Sequence, residues 1–372
     1  MTPFAIAQPG RIRFGRGEAR AALPEIAAFG RRVFVVHDRD PGRAEWLVTG
    51  LRALGLPVAS HPCPQEPTLP MLEAAVTAAA GAETVVALGG GAAIDLGKAV
   101  AALVPAPGGA LDHLEVAGRG LPLVHPPLSF VAIPTTAGTG AEVTRNAVIE
   151  VPAHRRKVSL RDGRMIARLA VVDPSLTDGC PRPVTLGSGL DAITQVIEPW
   201  LSTRATPYTD ALCRAAIPAG LAALRRLMTA EDAGARDTMA WVSLCGGLAL
   251  ANAGLGAAHG LAGVVGGMTG AAHGAICGAL LPHVLRANAA RMSSGRMAGV
   301  QRWIAAAFGA ADGIAAFEEW MHAEGLPRLS AQGLASTDHA TVAEAARGAS
   351  SMRANPVELG VDDLVAILAA AG

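Results

Sequence analysis

The chain has 372 residues, 51% of them hydrophobic and only 17% charged, with 31 basic side chains balanced by 31 acidic ones. That length suits about two domains with sizeable cores, and the composition excludes a disordered chain. Zero net charge gives no electrostatic footprint for nucleic acid or an anionic membrane, and basic residues gather only locally, as in the tract HRRK at 154–157.

The opening MTPFAIAQPG lacks the basic run and long apolar core of a secretory leader. Cys63, Cys180, Cys213, Cys245 and Cys277 are far apart, odd in number and form no CxxC pair. This argues against a disulfide framework and a zinc knuckle. A reducing cytoplasm is the expected setting.

The first half alternates strand-like and helix-like runs. RRVFVVHD, LPVASHPC, TVVALGG, LSFVAIPTT and LAVVDP read as strands. GRAEWLVTGLRALG, LPMLEAAVTAAAGA and AAIDLGKAVAALV carry helical spacing between them. Alternation of this kind predicts a mostly parallel sheet covered by helices. Asp38 ends the first of these strands, where a carboxylate either accepts from ribose hydroxyls and repels a 2′-phosphate or is an exposed loop acid. In TVVALGGGAAIDLGKAV, three glycines, Gly89 to Gly91, join a strand to a helix. Such a turn lets backbone N–H groups and the positive helix end approach a diphosphate, or is simply a tight turn that needs glycine. The spacing is not GxGxxG. In IPTTAGTGAEVT, Thr135, Thr136 and Thr139 could bond a carboxamide or phosphates, or form a polar turn.

Proline and glycine punctuate residues 174–189, placing a domain boundary near 180. The domains expected are 1–180, α/β, and 181–372, helical. Helices are predicted over 189–202, 206–228, 238–253, 257–266, 273–290, 297–308, 312–324 and 361–370. From Thr238 to Leu285 there is no Asp, Glu, Lys or Arg. Length alone would permit two membrane spans. The Ala/Gly content and three histidines predict instead helices buried in a protein core, closely packed through small residues.

Asp191 and Gln195 stand four apart in GLDAITQVIEPW, hence on one helix face. They could form half of a metal site or a polar face. His259 and His273, fourteen apart, would lie roughly 21 Å from each other on one unbroken helix. Metal ligands sit about 2.0–2.3 Å from their ion. Both can serve one metal only if the chain folds back between them, and Gly266, Gly267 and Gly270 offer the break. Otherwise each is a core histidine needing a polar partner.

Taken together, GGGAAIDLGKA, IPTTAGTGAEVT, VVDPSLT, GLDAITQVIEP, AHGLAG…AAHGAICGALLPHVLRAN and the tail SSMRANPVELGVDDLVAIL resemble the iron-containing alcohol dehydrogenase family in order and spacing, across essentially the whole chain. The resemblance implies a dehydroquinate synthase-like arrangement: an N-terminal α/β dinucleotide-binding domain and an all-α C-terminal domain. It implies NAD, or NADP, at Asp38, Gly90, Gly91, Ala92, Asp95, Thr135, Thr136, Thr139, Asn146 and Lys157. It also implies a divalent iron or zinc at Asp191, His259, His273 and a fourth position, which Gln195 holds here. The substrate implied is a small alcohol or aldehyde, and the assembly a homodimer or larger homo-oligomer.

Three positions depart from the family pattern. Gln195 stands where the second ligand is usually histidine, Gly263 where a relay histidine is common, and Ala92 where the glycine turn commonly has serine. An amide oxygen can coordinate but is a poorer donor to iron or zinc than imidazole. No catalytic residue is assigned. Metal-assisted hydride transfer between an alcohol carbon and nicotinamide stands first among the readings. The rivals are a metal-independent reductase of the maleylacetate type and a nucleotide-binding homologue that has lost its chemistry.

Overall fold

The computed structural model describes residues 3–154, 156–292 and 295–372; Arg155 of the basic tract lies outside them. The chain divides into two compact units. The first comprises Ala7–Thr136 and Gly140–Thr177; the second comprises Asp178–Gly372, Ala137–Thr139 and the residues before Ala7.

In the first unit the strands are β1 (Arg11–Phe14), β2 (Val33–Asp38), β3 (Val58–Cys63), β4 (Thr84–Gly89), β5 (Ser129–Pro134), β6 (Asn146–Val151), β7 (Arg156–Arg161) and β8 (Leu169–Val172). Six of them form a parallel sheet in the order β3-β2-β4-β5-β8-β1. The helices α1 (Glu45–Ala53), α2 (Leu69–Ala78) and α3 (Gly91–Leu103) connect β2, β3, β4 and β5. Parallel strands covered on both faces read as continuous apolar runs, because alternate residues enter two different cores. Val33 and Val35 pack with Leu47 and Leu51 of α1 on one face. Phe34 and Val36 pack with Leu72 of α2 and Ile94 of α3 on the other. Each such burial contributes roughly 1.5–3 kcal/mol before entropy is counted.

Two features have no counterpart among the predicted strands. The edge strand β1 is only four residues long, with arginines alternating with apolar residues and none of them buried. The antiparallel hairpin β6–β7 alternates buried and half-buried residues in NAVIEV. Within the described residues the chain changes unit between Thr177 and Asp178, three residues before the expected boundary at 180, and Ala137–Thr139 sorts with the second unit.

The second unit contains α4 (Arg182–Leu201), α5 (Pro207–Thr229), α6 (Ala233–Ala253), α7 (Ala257–Thr269), α8 (His273–Ala289), α9 (Gly295–Phe308), α10 (Gly313–Ala323), α11 (His339–Arg347) and α12 (Val361–Ala371) around one apolar core. Helix α4 starts seven residues earlier than the proline-rich sequence suggests. Pro183 falls in its first turn, where a missing N–H breaks no helical bond. Helix α11 is absent from the helices predicted by spacing. No single helix among the described residues is long and apolar enough to cross a membrane. The consecutive pair α6 and α7 has the length and composition together but is bent by 100°.

A buried lysine anchors the start of the hairpin to α3. Lys98 donates from Nζ to Ala141 O (2.7 Å), Thr144 Oγ1 (2.8 Å) and Asn146 O (2.8 Å). Burial lowers its pKa to about 8 despite Asp95 and Glu142 nearby. Burial likewise raises Glu142 to about 7, although its own backbone N–H and Lys98 oppose this. Between the unfolded value near 4.5 and about 7, the folded state binds the extra Glu142 proton. Stability therefore falls as pH rises through that window, by at most about 1.4 kcal/mol per unit. In Glu142→Gln that contribution should vanish, so denaturant titrations at pH 5 and pH 7 should show a smaller loss of stability with rising pH than in the parent chain. An unchanged slope would mean that Glu142 ionises as it does in the unfolded chain.

Candidate functional site

The first unit offers an anion-receptive turn at the start of α3. From β2 the chain steps outward to β3 and returns to β4 on the other side of β2. Ligands of open α/β sheets bind at the carboxyl ends of strands at such a reversal. In register, His37 pairs with Leu88 and Gly89 with Pro134, so Asp38, Gly89 and Thr135 stand at neighbouring strand ends. Gly90 N donates to Asp38 Oδ1 (3.2 Å), and Thr135 Oγ1 donates to Asp38 Oδ2 (3.3 Å). A Cβ on Gly89 would fall 2.3 Å from Asp38 Oδ1, so this position admits only glycine while the carboxylate is held there. Thr136 lies against Gly90, within ordinary contact of where a Cβ would be. Gly90 caps α3 without any side-chain hydrogen bond, and Gly91 and Ala92 open its first turn. The N–H groups of that turn and the helix dipole suit a phosphate.

The other predicted cofactor positions have structural partners. Asp95 Oδ2 accepts from Val148 N (3.0 Å), tying α3 to β6. Asn146 gives its carbonyl to Lys98. Lys157, across the hairpin from Glu150, pairs with Glu66. Thr139 belongs to the second unit with Ala137 and Gly138.

The second unit assembles a buried polar cluster from three helices. Asp191 and Gln195 lie on successive turns of α4, His259 in the first turn of α7, and His273 at the start of α8. The chain folds back between the histidines at Gly270, which ends α7 in the left-handed conformation (φ 69°); Gly266 and Gly267 stay within the helix. The imidazole centroids are 5.5 Å apart. Close crossing of α4 and α8 brings His273 to Asp191. A Cβ on Gly274 would lie 2.3 Å from Gly187 O, so any side chain there would force the helices apart.

His259 Nε2 approaches Asp191 Oδ1 to 3.3 Å, and His273 Nε2 approaches the same oxygen to 3.9 Å. Asp191 and His259 are 2% and 6% exposed. Yet Asp191 Oδ1 and His259 Nε2 have no hydrogen-bond partner, two of only four such buried side-chain atoms among the described residues. His259 donates Nδ1–H to Glu198 Oε2 (2.6 Å), which fixes the ring and turns Nε2 toward the cluster. Glu198 Oε1 accepts from Ala258 N (2.7 Å), while Asn355 Oδ1 accepts from Ala257 N (3.1 Å). Side chains from elsewhere thus cap α7, whose N-cap is Gly256. Asn355 Nδ2 also donates to Asn288 Oδ1 of α8 (2.9 Å), joining the helices behind the cluster.

Gln195, 3% exposed, donates from Nε2 to Gly138 O (3.1 Å). The side chain of Cys277, one turn beyond His273, comes within 3.6 Å of His273 Nε2. Sequence reasoning missed both Glu198 and Cys277. Glu198 is seven residues past Asp191, and Cys277 four past His273; each spacing puts the pair on one helix face.

The cluster calls for positive charge. When protons are the only cations available, burial opposes the charge on His259, but Cys277, Glu198 and Asp191 hold its pKa well above the ordinary value. Burial opposes His273 as well, and Cys277 and Asp191 raise it to about 9. Burial pushes Asp191 up, but the two imidazoles hold it below the usual carboxylate range. Orphaned donor atoms, a carboxylate and two imidazoles sharing one buried point fit a divalent metal ion.

The chain as a whole is similar to known proteins. The family model "Iron-containing alcohol dehydrogenase" matches residues 9–174, and that of the C-terminal part of the Fe-containing alcohol dehydrogenase family matches 185–372. The probable alcohol dehydrogenase EutG of Escherichia coli (strain K12) is 32% identical over 358 residues, 92% of this chain and 87% of its own. The NAD-dependent methanol dehydrogenase of Bacillus methanolicus is 33% identical, covering 77% of this chain and 76% of its own. A crystal structure of 1,3-propanediol oxidoreductase is similar over 100% of both chains, with a TM-score of 0.91 at 26% identity.

Glu198 is expected to act through His259 rather than on the metal itself. Glu198→Gln should lower the affinity for a divalent ion about 10–100-fold, measured by competition with a chelator, with the fold retained in circular dichroism. Unchanged affinity would reduce Glu198 to a helix cap.

Proposed function

The chain belongs to the iron-containing alcohol dehydrogenase family, and from that premise we propose that it is an NAD-dependent, metal-dependent oxidoreductase acting on CH–OH groups. It interconverts a small alcohol and its aldehyde. The observation that carries this reading is the convergence of Asp191, His259 and His273, with Asp191 Oδ1 and His259 Nε2 both left without partners.

When bound, a divalent cation supplies a Lewis acid for the substrate oxygen, and a nicotinamide dinucleotide supplies the hydride donor or acceptor. Asp191 supplies negative charge and His259 and His273 supply neutral nitrogen donors. Glu198 holds the His259 tautomer. The uncapped start of α3 receives the diphosphate through backbone N–H groups, with Gly90, Gly91 and Ala92 leaving the approach open. Asp38 accepts from the ribose hydroxyls with the lone pairs that Gly90 N and Thr135 leave free, and its charge disfavours a 2′-phosphate. Asp95, Asn146 and Lys157 support the walls of the nucleotide site, and Thr135 and Thr136 bond the cofactor's polar edge. Gly263 has no side chain to relay a proton, and a Cβ there would meet nothing within 4 Å. We propose further that it works as a homodimer or larger homo-oligomer in the cytoplasm.

Two measurements test the reading. Oxidation of NADH should be observed with small aldehydes, be lost on chelation and return with added metal, while Asp191→Asn should reduce it at least about 100-fold. Chelator-resistant turnover on maleylacetate-type dicarboxylates would favour the metal-independent reductase instead. Asp38→Ala should raise kcat/KM with NADPH relative to NADH about 10-fold or more, since removing one carboxylate next to a phosphate is worth on the order of 1.4 kcal/mol. An unchanged ratio would take Asp38 out of cofactor selection.

A further inference from the structure

We propose that Cys277 is the fourth protein ligand of the metal, in place of the histidine that this chain lacks at position 195. The inference rests on the metal-dependent reading above. Cys277 is fully buried. The ligand atoms of Asp191, His259, His273 and Cys277 all lie within 4.8 Å of one another. Four donors held about 2.0–2.3 Å from one tetrahedral ion stand roughly 3.3–3.8 Å apart. The separations here are 3.3 Å for His259 and Asp191, 3.6 Å for Cys277 and His273, and 3.9 Å for His273 and Asp191. Small side-chain rotations close such a shell.

A second observation points to the same spot. Asp191 Oδ1 and His259 Nε2 belong to side chains more than nine-tenths buried, and neither has a hydrogen-bond partner. Gln195, by contrast, is anchored by a contact outside the cluster. Its amide nitrogen donates to Gly138 O, and the side chain is wedged against Gly246 of α6, where an added Cβ would lie 3.0 Å from Gln195 Cβ.

Coordination replaces the Cys277 S–H bond with an S–metal bond and releases that proton to the buffer. The resulting set has one carboxylate oxygen, two imidazole nitrogens and one thiolate sulfur. It is softer than a carboxylate with three imidazoles and carries one more negative charge. It therefore favours zinc or cobalt(II) over iron(II).

The test uses cobalt(II) as the probe on the full purified chain. Absorption spectra and chelator-competition affinities are recorded for the parent, Cys277→Ser, and Cys277→Ala combined with Gln195→His. The parent should bind one cobalt per chain and show a near-ultraviolet thiolate-to-cobalt charge-transfer band. Cys277→Ser should lose the band and bind at least about 10-fold more weakly. The double variant should recover affinity without the band. Should Cys277→Ser fail to fold, X-ray absorption at the cobalt edge of the parent, which separates a cobalt–sulfur shell from nitrogen and oxygen neighbours, decides the matter. Cobalt bound without the band and without a sulfur neighbour would overturn the assignment of Cys277 and leave the metal-dependent dehydrogenase standing. A folded parent that binds no cobalt would overturn both.

Discussion

A carboxylate buried in a helical core must be given positive charge, and Asp191 imposes this demand on the second unit. Left unpaired in a low-dielectric interior it would cost several kcal/mol or more. Every nearby feature answers that demand. Gly270 turns the chain so that a second imidazole reaches the oxygen. Gly187 and Gly274 let α4 and α8 cross closely enough for His273 to arrive. Glu198 fixes the orientation of His259, and Asn355 with Asn288 ties α7 to α8 from behind.

The two units treat charge in opposite ways. In the first, donors are left over: the opening turn of α3 has no side-chain cap, and the nearby carboxylate of Asp38 is held by donors from two neighbouring strands. In the second, acceptors are left over, enclosed by apolar residues. Surplus donors suit an anion, and surplus buried acceptors suit a cation. A dehydrogenase that uses a dinucleotide and a divalent ion needs both surfaces.

Much of this is legible in the sequence because it is local. The inner strands of the main sheet, β2, β4, β5 and β8, are short apolar runs, since both faces are covered, and the glycine turn follows one of them directly. The Asp191–Gln195 pair and the need to fold back between the histidines follow from helix geometry. Other features depend on tertiary neighbours and are not legible. The β6–β7 hairpin is not among the predicted strands, and the Lys98 anchor at its start is a tertiary contact. Three glycines are candidates for the turn, and only Gly270 makes it, because Gly266 and Gly267 are held in the helix. Glu198 and Cys277 fall at helical spacing from predicted residues, but spacing alone does not say which of several polar or sulfur-bearing neighbours faces inward.

The small segment Ala137–Thr139 lies between stretches of the first unit and yet belongs to the second, as do the residues before Ala7. Neither unit is therefore a contiguous piece of chain. A protein truncated at the apparent boundary near residue 178 would take from the helical half the carbonyl of Gly138, to which Gln195 is bonded. The two halves are interleaved in sequence, so gene fragments encoding one or the other are poor surrogates for the whole. For the same reason, a recombination that swaps the nucleotide-binding half between relatives carries a piece of the helical half's interior with it.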